Sequence, residues 1–153
     1  MDKNQFKSFC KVEFEKRGFK KVKNIFFLAG FDLLCGIDLQ KSSYGKTYYI
    51  NYYFFIGDFR NSEIMPFYFD SDVQGRIIVM SKTQKIKGEH FRTAQIRYED
   101  YTEDELRSFF DKDFAEKVLP PVYKGKAFIL NHLNVLYFLT LRKDEVLRKL
   151  KGN

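Results

Sequence analysis

A chain of 153 residues suits a single domain spanning 1–153, and a domain of this size buries about 68–70% of its unfolded surface, so its core needs no disulfide or metal. Hydrophobic residues at 44% exclude disorder by composition, and 18 Phe with 10 Tyr bias the chain towards sheet. The formal charge of +7, from 27 Lys and Arg against 20 Asp and Glu, favours solubility and anionic partners but says nothing of the fold.

The first nineteen residues carry charges throughout and hold no apolar run of signal-peptide length. No uncharged apolar stretch reaches the roughly 18 residues of a membrane span, so a cytoplasmic chain with no membrane partner is expected.

Residues 4–17 read as an amphipathic helix. Phe6, Phe9, Cys10 and Phe14 recur at helical spacing, with Asp2 or Asn4 as cap and Gly18 as stop. Residues 19–30 read as a first strand. The second, 31–41, alternates, with Phe31, Leu33, Cys35, Ile37 and Leu39 on one face; the third, 47–56, puts Tyr48, Ile50, Tyr52, Phe54 and Ile56 on one face. A loop centred on Tyr44-Gly45 then sets Leu39 against Ile50, Ile37 against Tyr52, Cys35 against Phe54 and Leu33 against Ile56. A slip of one residue would break every apolar pair. Gly45 supplies the positive φ for the turn. On the opposite face the same register sets Asp38 against Asn51 and Gln40 against Tyr49, with Ser42 near Thr47.

Residues 57–75 look like a long excursion, 76–83 like a fourth strand and 91–101 like a fifth. Thr102 to Glu105 form a capping box, and the helix it opens should end before Pro120-Pro121. The apolar segment 126–141 reads as a buried core helix, which the basic stretch 142–153 either continues or follows as a short helix of its own. The sum is an α+β domain: an antiparallel sheet of four or five strands, with the N-terminal helix and two C-terminal helices on one face.

Motifs for phosphate loops, nucleophile elbows and metalloprotease helices are absent. Cys10, Cys35, His90 and His132 are too irregularly spaced for a zinc site, and the two thiols read as small buried hydrophobes, so neither metal nor cofactor is expected. His132 reads as a satisfied core imidazole. Asp70–Gly75 begins like a calcium loop but lacks its later ligands. Three of the carboxylates in Glu99–Glu105 fall in a helix's first turn, where the macrodipole accounts for them. An enzyme would need Glu89, His90 or these carboxylates to converge in a cleft. A non-enzymatic chain is expected.

Two stretches, "EKRGFKK" at 15–21 and "DLQKSSYGKTYYIN" at 38–51, resemble a bacterial family known as domain of unknown function 4304. The resemblance covers roughly residues 6–57 and is carried by Gly18-Phe19-Lys20-Lys21, Gln40-Lys41-Ser42 and Asn51. It implies a small cytoplasmic α+β domain and brings no established activity. Small bacterial domains of this kind accompany toxin loci as immunity proteins, which makes an immunity-type protein that blocks a toxin the most concrete expectation. Its partner-binding residues would be Gln40, Ser42, Tyr49, Asn51 and Tyr53 on the polar sheet face. The alternative is nucleic-acid binding through two basic runs, 16–23 and 142–151, the first with Lys16, Arg17, Lys20, Lys21 and Lys23 and the second with Arg142, Lys143, Arg148, Lys149 and Lys151.

Overall fold

Asp2, not Asn4, opens the first helix. Its carboxylate accepts from the Gln5 amide at 2.8 Å, while the Gln5 side chain accepts from the Asp2 amide at 2.8 Å. This reciprocal cap starts α1 (Lys3–Glu15), which buries Phe6, Phe9, Cys10 and Phe14, and Gly18 at φ 97° ends the turn that follows. The structure, a computed structural model, describes every residue except Ile64, Thr140, Leu141 and Asn153.

The segment expected as one strand at 19–30 is a hairpin, β1 (Lys20–Val22) and β2 (Ile25–Ala29). Val22 pairs with Ile25 across Lys23-Asn24, and Lys23 takes the left-handed φ of 58° that so tight a connection requires. The next hairpin, β3 (Leu33–Lys41) and β4 (Thr47–Ile56), has the expected register: Leu39 faces Ile50, Ile37 faces Tyr52, Cys35 faces Phe54 and Leu33 faces Ile56. Gly45 sits at φ 66°, and the Ser42 amide donates to the Thr47 carbonyl at 3.0 Å.

The fourth strand begins three residues before its expected start, inside the excursion. It is β5 (Val73–Arg76), paired to β4 with Val73 against Phe54 and Gly75 against Tyr52. Gly75 makes this possible, because a Cβ there would lie 2.2 Å from Cζ of Tyr52. Of the expected 76–83 strand, Arg76 belongs to β5 and Val79–Met80 form β6, which pairs with β7 (Arg92–Thr93). The expected fifth strand is broken between β7 and β8 (Ile96–Arg97), where Thr93 Oγ1 accepts from the Gln95 amide at 3.0 Å and turns the chain. The sheet runs β1-β2-β3-β4-β5, with β8 also paired to β4, and every pairing is antiparallel.

Thr102 and Glu105 cap α2 (Glu103–Asp113) in both directions, at 3.2 and 3.0 Å. The helix does not stop before the prolines. It passes through a π turn at Phe114–Val118 into α3 (Leu119–Lys124), whose first turn holds Pro120 and Pro121, where a missing N–H costs least. Pro121 cannot donate back to the Lys117 carbonyl, and the Tyr137 hydroxyl donates there instead, at 2.6 Å.

The expected core helix at 126–141 is short: α4 (Lys126–Asn131) ends at Asn131, and Asn134 at φ 64° belongs to a turn. Thr140 and Leu141 of that segment lie outside the described residues. His132 is half-buried instead of deep in a core, stacked on Phe128 with its Nδ1 2.7 Å from the Phe128 carbonyl. The basic helix α5 (Lys143–Lys151) closes the chain. Helices α1, α2, α4 and α5 bury their apolar residues with Leu33, Cys35, Ile37, Ile50, Tyr52 and Phe54 on one face of the sheet.

Candidate binding face on the sheet

The opposite face is divided. Near β2 it is apolar: Phe27, Leu34, Tyr53 and Phe55 cluster beneath Phe59, Met65 and Tyr68, all from the 57–75 excursion. Towards the Gly45 turn it is polar, because the β3–β4–β5 register brings Gln40, Asp38, Asn51 and Arg76 side by side.

Asn51 is the hub. Its Nδ2 donates to Asp38 Oδ1 at 3.0 Å and to Gln40 Oε1 at 2.9 Å, and its Oδ1 accepts from Arg76 Nε at 3.0 Å. These neighbours fix which way the amide points, since Asp38 only accepts and Arg76 only donates. A second Arg76 nitrogen reaches Gln40 Oε1 at 3.3 Å, and the guanidinium lies 3.9 Å over the Tyr49 ring. Gln95 Nε2 donates to the Tyr49 hydroxyl at 3.1 Å. Burial raises the Asp38 pKa, and hydrogen bonds from Asn51 and Tyr53 only partly offset it. Tyr53 is pushed far above the ordinary phenol range, by burial first and by the Asp38 charge beside it second.

The five residues expected to bind a partner therefore differ in role. Gln40 is exposed and Tyr49 half-buried, both presented at the surface. Asn51 and Tyr53 are buried and hold the network from below. Ser42 is buried too, its Oγ accepting from the Tyr44 amide at 3.0 Å, which spends it on the turn. Arg76 and Gln95 belong to the face and were not among the expected residues. The sequence signal for Arg76 was the alternation Val73, Gly75, Ile77 against Gln74 and Arg76. From Gln40 and Asn51 a groove of about 810 Å³ runs along β5 between Phe69 and Phe138.

The sequence pattern of Domain of unknown function (DUF4304) matches residues 11–121, more than half of the chain. The chain belongs to this family. The DUF4304 stretch reaches well past the hairpin that carries the resemblance, through β5 and β8 to Pro121, and so takes in the whole polar face. Comparisons with curated proteins and with solved structures found no match.

Within the DUF4304 stretch, the basic run divides. Lys16 pairs with Glu13 at 2.8 Å; Arg17 pairs with Glu13 at 3.1 Å and with Asp111, and its guanidinium lies 4.4 Å over Phe114. Lys20 and Lys21 on β1 and Lys23 in the turn are exposed. The C-terminal run is tied to the other margin of the sheet, with Lys149 on Asp72 at 2.9 Å and Arg142 on the Ser71 carbonyl at 3.1 Å.

The carboxylates of 99–105 disperse to separate partners: Glu99 to Lys46, Asp100 to Thr83, Asp104 to Arg107 and Glu105 to Lys82. Glu89 and His90 are exposed beside a tight turn. Cys10 and Cys35 are fully buried, and burial raises both thiols well above their ordinary range. Among the described residues no helix is long and apolar enough to cross a membrane.

Proposed function

We propose that this DUF4304 protein is a non-catalytic binding domain that holds a partner protein against Gln40, Tyr49 and Arg76. The observation that supports it is the state of Arg76. Its guanidinium is stacked on Tyr49 and fixed by Asn51 and Gln40, yet it has no carboxylate partner among the described residues and stays exposed. An Arg held rigid beside a Tyr has little side-chain entropy left to lose, and these two residue types recur among the dominant contacts of protein interfaces. In its most concrete form the partner is a bacterial toxin and the protein an immunity-type blocker.

The test is quantitative capture from the native host, with the full chain and its Tyr49→Ala and Arg76→Ala variants compared by mass spectrometry. One protein retained by the wild type and lost at least tenfold by both variants supports the reading. Equal retention by all three overturns it. For the immunity form, co-expression with the captured partner should restore growth in the wild type and not in the variants.

A further inference from the structure

We propose that the outer edge of β5 is a docking strip for an extended acidic segment of the partner protein, which joins the sheet as a further strand; this rests on the protein-binding reading above.

The two margins of the sheet are built differently. At one margin, β1 and its turn carry Lys20, Lys21 and Lys23, and lysines are a common device for keeping other strands off an edge. At the other, β5 offers Gln74, Gly75 and Arg76.

The backbone of β5 is half-used. The Ile77 amide donates to the Ile50 carbonyl at 3.0 Å, in step with Gly75 against Tyr52 and Val73 against Phe54. By antiparallel alternation these residues turn their backbone towards β4, and Gln74 and Arg76 turn theirs outwards. Among the described residues nothing accepts from the Gln74 or Arg76 amide. The next outward amide, Ile78, is already taken by Asp113 Oδ2 at 2.7 Å. The open length therefore suits a strand of about three to five residues.

The surroundings select its chemistry. Phe69 and Phe138 flank the edge at 74% and 58% exposure, apolar walls for a chain laid between them. Arg76, Lys117 and Arg142 line the groove. Among the described residues its one lining carboxylate, Asp72, already accepts from Lys149 at 2.9 Å and from the Ile56 amide at 2.7 Å. An added strand would send alternate side chains to Arg76 on one face and to Lys117 and Phe138 on the other. Carboxylates answer that pattern. A second copy of this chain would bring like cations together across the joint, in a molecule already at +7.

The probe is a fluorescein-labelled octapeptide of alternating Glu and Val, titrated by anisotropy into the full chain at low salt. A Lys-Val octapeptide and a Glu-Val octapeptide N-methylated at alternate residues serve as controls. Saturable binding of the Glu-Val peptide, at least tenfold weaker for both controls, supports the strip. Gln74→Pro should weaken binding at least tenfold, because it deletes one outward amide at a place where an edge strand tolerates proline. Arg76→Glu, which leaves the backbone intact, should do the same should the proline variant not fold. Absence of binding at about 500 μM protein overturns the proposal, as does equal binding of the N-methylated peptide. A dimer in sedimentation that Gln74→Pro dissolves overturns it in favour of a second copy. A captured partner that survives Gln74→Pro but is lost on Tyr49→Ala overturns the strip and leaves the binding face standing.

Discussion

Asn51→Asp replaces one nitrogen by an oxygen at the centre of the polar face and reverses the logic of the network. Where Nδ2 now donates to Asp38 Oδ1 at 3.0 Å and to Gln40 Oε1 at 2.9 Å, a carboxylate oxygen would meet two acceptors. Two unit charges about 3 Å apart repel by about 5 kcal/mol at an effective dielectric near 20. Arg76, 3.0 Å from the other oxygen, offsets part of this, and proton uptake caps the rest. About 3 kcal/mol of destabilisation at pH 7 is the expected net, a fall in Tm of about 6–12 °C for a domain of this size.

The pH dependence separates repulsion from simple misfit. The paired carboxyls would have folded pKa values raised above their unfolded ones, in the direction in which burial already moves Asp38. Stability is then retained below the unfolded pKa and lost as pH rises through the folded one. Thermal melts followed by circular dichroism at pH 4 to 8 should show a small penalty at pH 4 growing to its full size by pH 7. A penalty under about 1 kcal/mol at pH 7, or one equal at both ends, would refute the hydrogen-bond assignment.

Gly75→Ala sets a Cβ against the Tyr52 ring, whose nearest atom would be 2.2 Å away, and should cost about 1–3 kcal/mol by overpacking in urea unfolding. An unchanged midpoint would mean that β5 is not pressed onto Tyr52. Glu13 has a side chain 3% exposed among Lys16, Arg17 and Arg107. Burial works to raise its pKa, but the Lys16 and Arg17 contacts prevail and lower it. Its stabilisation is therefore complete above the ordinary carboxylate range and fades as pH falls through the lowered folded value. Glu13→Gln should cost about 3 kcal/mol at pH 7, with the gap from wild type closing in acid-unfolding curves as the pH drops. A gap that stays constant down to pH 3 would contradict this.

The β3–β4 register was legible because four apolar residues alternate on β3 and five on β4, and the turn between them is short, so one pattern decides everything. The β1–β2 hairpin was not, since its turn rests on Lys23 in a conformation that lysine seldom takes and only Asn24 hints at it. Composition misled at 126–141, where apolar content suggested one helix. The polar run Asn131, His132 and Asn134 was the local sign that the helix breaks. At the candidate site, Gln40, Tyr49 and Asn51 could be placed on one face by period alone. Arg76 could not, because the 57–72 connection hides which strand lies next to β4, and only tertiary pairing sets Arg76 opposite Asn51.

The π turn has a consequence for helix phase. Leu106, Phe110, Phe114, Val118 and Val122 are all buried and spaced by four. In a regular α-helix each step of four overshoots a full turn by about 40°, so over this span the last residue would have rotated most of the way to the far side. The wider turn at Phe114–Val118 rotates less per residue and winds the stripe back, so Val122 still meets the core beyond the bend. Trimming one residue from that turn would restore ordinary helical geometry locally while swinging Pro121 and Val122 by about 100° away from the apolar layer they now complete.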